Sequence, residues 1–166
     1  MKRLTDGHRR TAQALLVGTA AVGILDGAFA VVRVSAAGGS PLRPFQAVAA
    51  GLLGTAAFRG GGFTAAVGVA LHFVIAAGVV ATYFLASRRV EALTRRPILC
   101  GALYGLVVYA IMYHVVIPLS ALSPGPRSLS SALPALGIHV IGVGIPAALA
   151  ARSARRGPSI SSMDAG

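Results

Sequence analysis

Four ionisable side chains interrupt otherwise apolar stretches of this 166-residue chain: Asp26, His72, His114 and His139. Carboxylates and imidazoles are groups that trade protons, the imidazole near neutral pH. In a bilayer each needs a partner, because an aspartate at the centre of a membrane helix costs about 2.5 to 3.5 kcal/mol to insert. The stretch "LYGLVVYAIMYHVVIPLSA", residues 103–121, carries His114 near its end and is tolerable if that imidazole faces other polar groups inside a bundle. Four chemistries fit such a set. One is a proton or small-solute path in which Asp26 accepts a proton and the histidines relay it. The second is ligation of a b-type haem by two of the three imidazoles. The third is a transition-metal site of histidines with Asp26, although no H-x-x-x-H or C-x-x-C spacing sharpens it. The last is a hydrogen-bonded layer that fixes helix register.

The elements that must position these residues are membrane helices. Apolar residues make up 55% of the chain and charged residues only 11%, against roughly 25% charged in a soluble domain, and the mean hydropathy is +0.77. Four stretches, residues 11–32, 63–86, 98–119 and 133–151, approach or exceed the roughly 20 helical residues that cross a hydrocarbon core. A fifth, 45–58, is too short to span and suits a re-entrant or interfacial helix. The expected fold is therefore an all-α integral membrane four-helix bundle with one additional short helix, and the polar residues 157–166 are expected to form a disordered cytoplasmic tail. The net charge of +11 does not point to nucleic acid: the arginines flank the apolar runs, and no aromatic residues interleave with them for base stacking. With four spans and both termini cytoplasmic, eleven of the fifteen Lys and Arg lie inside, as the positive-inside rule requires. A spanning 45–58 would move the Arg88–Arg96 cluster outside.

That topology places the four titratable groups in the outer half of the membrane. At the rise of an α-helix Asp26 lies about 9 Å, His72 about 14 Å, and His114 and His139 about 8 Å from the outer ends of their spans. Asp26 shares a helix face with Thr19, Gly23, Ala30 and Arg33, and Arg33 is long enough to reach back toward the carboxylate. Gly68 and Ala76 flank His72 at one-turn spacing. Gly23–Gly27 and Gly101–Gly105 are G-x-x-x-G pairs that permit close helix contact, within one bundle or between two copies of the chain as a homodimer. Pro118 frees the carbonyl of His114, and Pro146 that of Gly142, so a kink is expected at each.

Other features are quieter. The N-terminus carries a basic stretch, an apolar run and Ala28-Phe29-Ala30, but Asp26 and the run's length to Val32 argue against a cleaved signal. The single Cys100 reads as a packing residue. No G-x-S-x-G, H-E-x-x-H or phosphate-cradling loop appears, so catalysis is not expected, and Ser120 is a lone hydroxyl.

The second half of the chain resembles the YagU-like family of small bacterial inner-membrane proteins. The resemblance is carried by "VALHFVIAAGVVATYFLA" with His72, "LCGALYGLVVYAIMYHVVIPLSAL" with His114 and Pro118, and "ALGIHVIGVGIPAALAARSARR" with His139. It covers about residues 63–156, and the first span has a polar residue in both, here Asp26. It implies a bacterial inner-membrane location, this topology and an association with acid tolerance.

Overall fold

The computed structural model describes residues 2–121 and 129–155, with side chains from residue 7 onward, and is helical almost throughout. In chain order it contains α1 (Lys2–Ala36), α2 (Arg43–Leu53), α3 (Gly61–Ser87), α4 (Ala92–Arg95), α5 (Pro97–Leu119) and α6 (Leu129–Arg155), with a 3-10 stretch, Gly54–Arg59, joining α2 to α3. Four segments, Gly7–Ala36, Gly61–Ser87, Pro97–Leu119 and Leu129–Arg155, are long and apolar enough to cross a membrane. The expected all-α bundle of four spans forms, with a second short helix, α4, beside the one expected, and each span is longer than its apolar run, α5 by a single residue. The tail 157–166 and the middle of the 120–134 turn lie outside the described residues.

Glycines set the breaks. Gly38 (φ 78°) follows the end of α1 and Gly54 (φ 63°) caps α2, both in the left-handed region that a side chain disfavours. Pro97 opens α5, where its missing N–H is no loss.

The spans alternate in direction. Gly18 of α1 faces Val80 and Ala150, whereas Gly27 faces His72, so α1 is antiparallel to α3 and α6. Gly101 meets Ala148 and Gly105 meets Val140, so α5 is antiparallel to α6. Helix α6 is the hub: Ala147, Ala148, Ala150 and Ala151 are buried and it packs on α1, α3 and α5. Side chains this small let three helices approach one. A short basic link suggests that α3 and α5 should lie side by side. They do so at one end only, where the Tyr83 and Tyr104 rings meet edge-on at 5.0 Å and Tyr104 donates to the Val79 carbonyl. The buried stripe of α5, Gly101, Gly105 and Val108, includes the glycines directed at α6, and toward the other end a gap opens between α3 and α5.

Helix α2 runs antiparallel along the first turns of α3. The Phe45 backbone lies on Gly68, Gln46 Nε2 donates to the Gly61 carbonyl (3.0 Å), and Thr64 Oγ1 donates to the Ala57 carbonyl (2.6 Å). The segment 45–58 is thus a helix and a 3-10 turn seated on α3.

At both prolines where a kink is expected, the preceding turn is widened. Residues Met112–Val116 of α5 and His139–Gly144 of α6 are π-helical. The Ile117 N–H reaches Met112 O and the Ile145 N–H reaches Val140 O, five residues back instead of four. A proline follows each, Pro118 and Pro146. Its ring would press on the carbonyl four residues earlier and offers it no proton, and a wider turn before it relieves that crowding.

A titratable cavity as the candidate functional site

The gap between α3 and α5 is a cavity of about 490 Å³ walled by all four spans and α2. Asp26 and Arg33 of α1, His72 of α3, and Tyr113 and His139 from α5 and α6 line it. Three of the expected titratable groups therefore share one space. Their depths agree: Asp26 is ten residues from the Ala36 end of α1, His72 eleven from Gly61, and His139 ten from Leu129. At the α-helical rise each lies about 15 to 16 Å from the helix end.

Each histidine of the cavity is seated against glycine of a G-x-x-x-G pair, His72 against both members and His139 against one. His72 Nε2 lies 2.9 Å from the Gly23 carbonyl, and a Cβ on Gly27 would stand 3.3 Å from that same nitrogen. The rings of Phe45 and Phe73 meet the imidazole edge-on at 5.9 and 5.8 Å. His139 is buried, 8% exposed. Its Nδ1 lies 2.8 Å from the Ala135 carbonyl, Tyr109 and Tyr113 flank its ring at 5.5 and 5.8 Å, and its backbone lies against Gly105. Both G-x-x-x-G pairs are thus used inside the chain: Gly23–Gly27 against α3, and Gly101–Gly105 against the π-helical turn of α6.

The two hydrogen bonds fix protonation at one nitrogen of each ring. A carbonyl can only accept, so His72 donates from Nε2 and His139 from Nδ1. The second nitrogen, Nδ1 of His72 and Nε2 of His139, is left to hold a lone pair or take a proton. Asp26, half-buried, has no ion pair or hydrogen bond among the described residues.

Two expectations are corrected. His114 does not join the others: it is exposed, does not line the cavity, and its Nδ1 bonds the Ala110 carbonyl on its own helix (3.1 Å). It also lies shallower, five residues from Leu119, or about 8 Å. The reason is helical phase. Nine residues separate His114 from Gly105, and at about 100° per residue, somewhat less across the π-helical turn, they turn the imidazole well away from the glycine side, which faces α6. Arg33 does line the cavity but forms no ion pair with Asp26 among the described residues; its guanidinium lies 5.9 Å from the Phe29 ring instead.

The carboxylate and imidazoles that line the cavity are groups able to exchange protons and to hydrogen-bond a ligand. Among the described residues no group of three or more His, Cys, Asp or Glu is placed to hold a metal ion. Cys100 packs against the buried cluster, its Sγ 3.5 Å from the Ala92 carbonyl. Ser120 Oγ donates to Ile117 O (2.7 Å), a helix-end contact. Sequence reasoning missed Tyr113 and Met112 as lining residues and the aromatic pairs that flank the imidazoles. The four-residue spacing of Tyr109 and Tyr113 was visible in the sequence, but nothing local says that they meet His139. Comparison with known protein families, with curated proteins and with solved structures returns no match.

Proposed function

We propose that the chain is a proton-responsive protein of the bacterial inner membrane, in which protonation of Asp26, His72 and His139 is coupled to what occupies the cavity. One observation carries this reading: three titratable groups from three different helices line a single cavity at one depth, and both imidazoles keep a nitrogen in reserve. A purely structural layer would use those groups up against one another. The orientation rests on charge. Among the described residues Arg9, Arg10, Arg88, Arg89, Arg95, Arg96, Arg152 and Arg155 gather at the α4 end and Arg33, Arg43 and Arg59 at the other, and by the positive-inside rule this supports cytoplasmic termini and a cavity in the periplasmic half. The resemblance to the YagU-like proteins, with their link to acid tolerance, agrees with this role.

The test is proton flux in liposomes containing the purified chain under an imposed pH gradient. The wild type should conduct or exchange protons above protein-free vesicles, and Asp26→Asn should abolish the excess. Equal flux in the two proteins overturns the proposal. A second reading, axial ligation of a b-type haem, uses the reserved nitrogens of the same two histidines. An absorption spectrum with haem supplied separates it, because bis-imidazole ligation gives a Soret band that His72→Gln or His139→Gln removes. A third, a structural or assembly subunit, would leave a stable partner or homodimer association intact when the histidines are replaced by Gln.

A further inference from the structure

The cavity is layered, and the layers specify an occupant. Its mouth is cationic. Arg33 lines both the cavity and an adjoining recess formed with Gly39, Ser40 and Arg43 at the turn between α1 and α2. Phe29 lies beside the Arg33 guanidinium and Phe58 beside that of Arg43, at 5.9 and 4.7 Å. No carboxylate stands within 4.0 Å of either guanidinium among the described residues. The next layer is the belt of Asp26, His72, Tyr113 and His139. Beyond it, about one to two helical turns further from the mouth on their own helices, Val22, Ala76, Val79 and Val143 make an apolar floor.

We infer that the cavity binds a small anionic amphiphile, specifically a weak carboxylic acid with a short apolar body. The inference rests on the proposed proton-responsive site and names its ligand class. Two unpaired guanidiniums at the entrance draw in an anion and repel a cation. A fully polar anion would give up its hydration against the valine floor with nothing to replace it. A fully apolar molecule would cover Asp26 and the two reserved imidazole nitrogens without satisfying them. A carboxylic acid avoids both costs: as an anion it pairs with Arg33, and after taking one proton from the belt it is neutral and can sit at depth. A phosphate monoester keeps a charge after that single proton and does not suit the same layer. The volume matches a single small ligand.

The test is saturable binding of radiolabelled octanoate to the full chain in nanodiscs, with empty nanodiscs subtracted. Acetate, octanol and octylamine serve as competitors. Octanoate should bind saturably, and each competitor should be weaker by about tenfold or more, the equivalent of one charge-assisted contact or of the buried chain. Arg33→Gln and the double variant with Arg43→Gln sit at exposed positions where folding is not at stake, and they should weaken octanoate by a similar factor. Equal competition by octylamine, or unchanged affinity in the double variant, overturns the ligand class. The two proposals fail separately. If octanoate does not bind while Asp26→Asn still abolishes proton flux, only the ligand class falls. If octanoate binds as described, with the same affinity in acidic and alkaline buffer, and Asp26→Asn leaves flux unchanged, only the proton coupling falls.

Discussion

The α4 end and the α2 end of the bundle use the same device, a ring hydrogen-bonded to a backbone carbonyl, with opposite results. At the α4 end Tyr83 donates to the Leu93 carbonyl (2.9 Å) and Tyr104 to the Val79 carbonyl (2.8 Å). Ser87 donates to Phe84 O (2.7 Å), and Arg155 reaches across to the Ser87 carbonyl. A phenol has one proton to give, and once given it leaves the group with little further chemistry. At the α2 end the rings are imidazoles. Each gives one proton to a carbonyl and still has a second nitrogen. Packing follows the same division: Tyr83 is 1% exposed, among buried alanines and valines, whereas the histidines border open space. One end is finished as structure, and the other is held in place but chemically open.

Substitutions should respect that division. The largest effect belongs to the seam that supports the open end. Gly105→Leu would drive a side chain into the His139 carbonyl and the Val140 backbone and should cost about 3 kcal/mol or more, seen as loss of the monodisperse peak in detergent gel filtration. At the closed end Tyr83→Ala should cost about 3 kcal/mol in thermal or denaturant unfolding, and Tyr83→Phe, which removes only the hydrogen bond, about 1 kcal/mol. At the open end Asp26→Asn should alter stability by less than about 1 kcal/mol while removing the proton response. A stability loss at Asp26 as large as that of Tyr83→Ala would erase the contrast between the ends. The smallest effect is expected from His114→Gln, within about 0.5 kcal/mol in unfolding and without effect on flux, because that imidazole stands outside the cavity.

Much of this arrangement could be read from the chain. Apolar length located all four candidate spans to within a few residues at most ends, and the 14-residue run 45–58 forms a short helix and a 3-10 turn. The shared depth of Asp26, His72 and His139 followed from topology alone, and the longer helices brought the three closer to one level. His114 shows the limit and its cause. Depth is one coordinate; helix phase is another, and the glycine pair at 101 and 105 already marked which side of α5 could face inward. Partnership between helices was not legible. That α6 would be the hub, leaving α3 and α5 in touch only at their tyrosines, depends on how Ala147, Ala148, Ala150 and Ala151 fit three neighbours at once, and no local pattern states that. The π-helical turns were visible only as prolines, since a proline shows where a hydrogen bond is lost but not how the preceding turn adjusts.

The contact between Gly101, Gly105 and Gly144 has a mechanical consequence. Main chain lies directly on main chain there, with no side chains between to shear or swap rotamers, and the α6 side of the contact is the wide turn just before Pro146. Helices α5 and α6 are therefore packed backbone to backbone into one wall. A side chain added at any of the three glycines would push the two helices apart and change the shape of the cavity that both of them line.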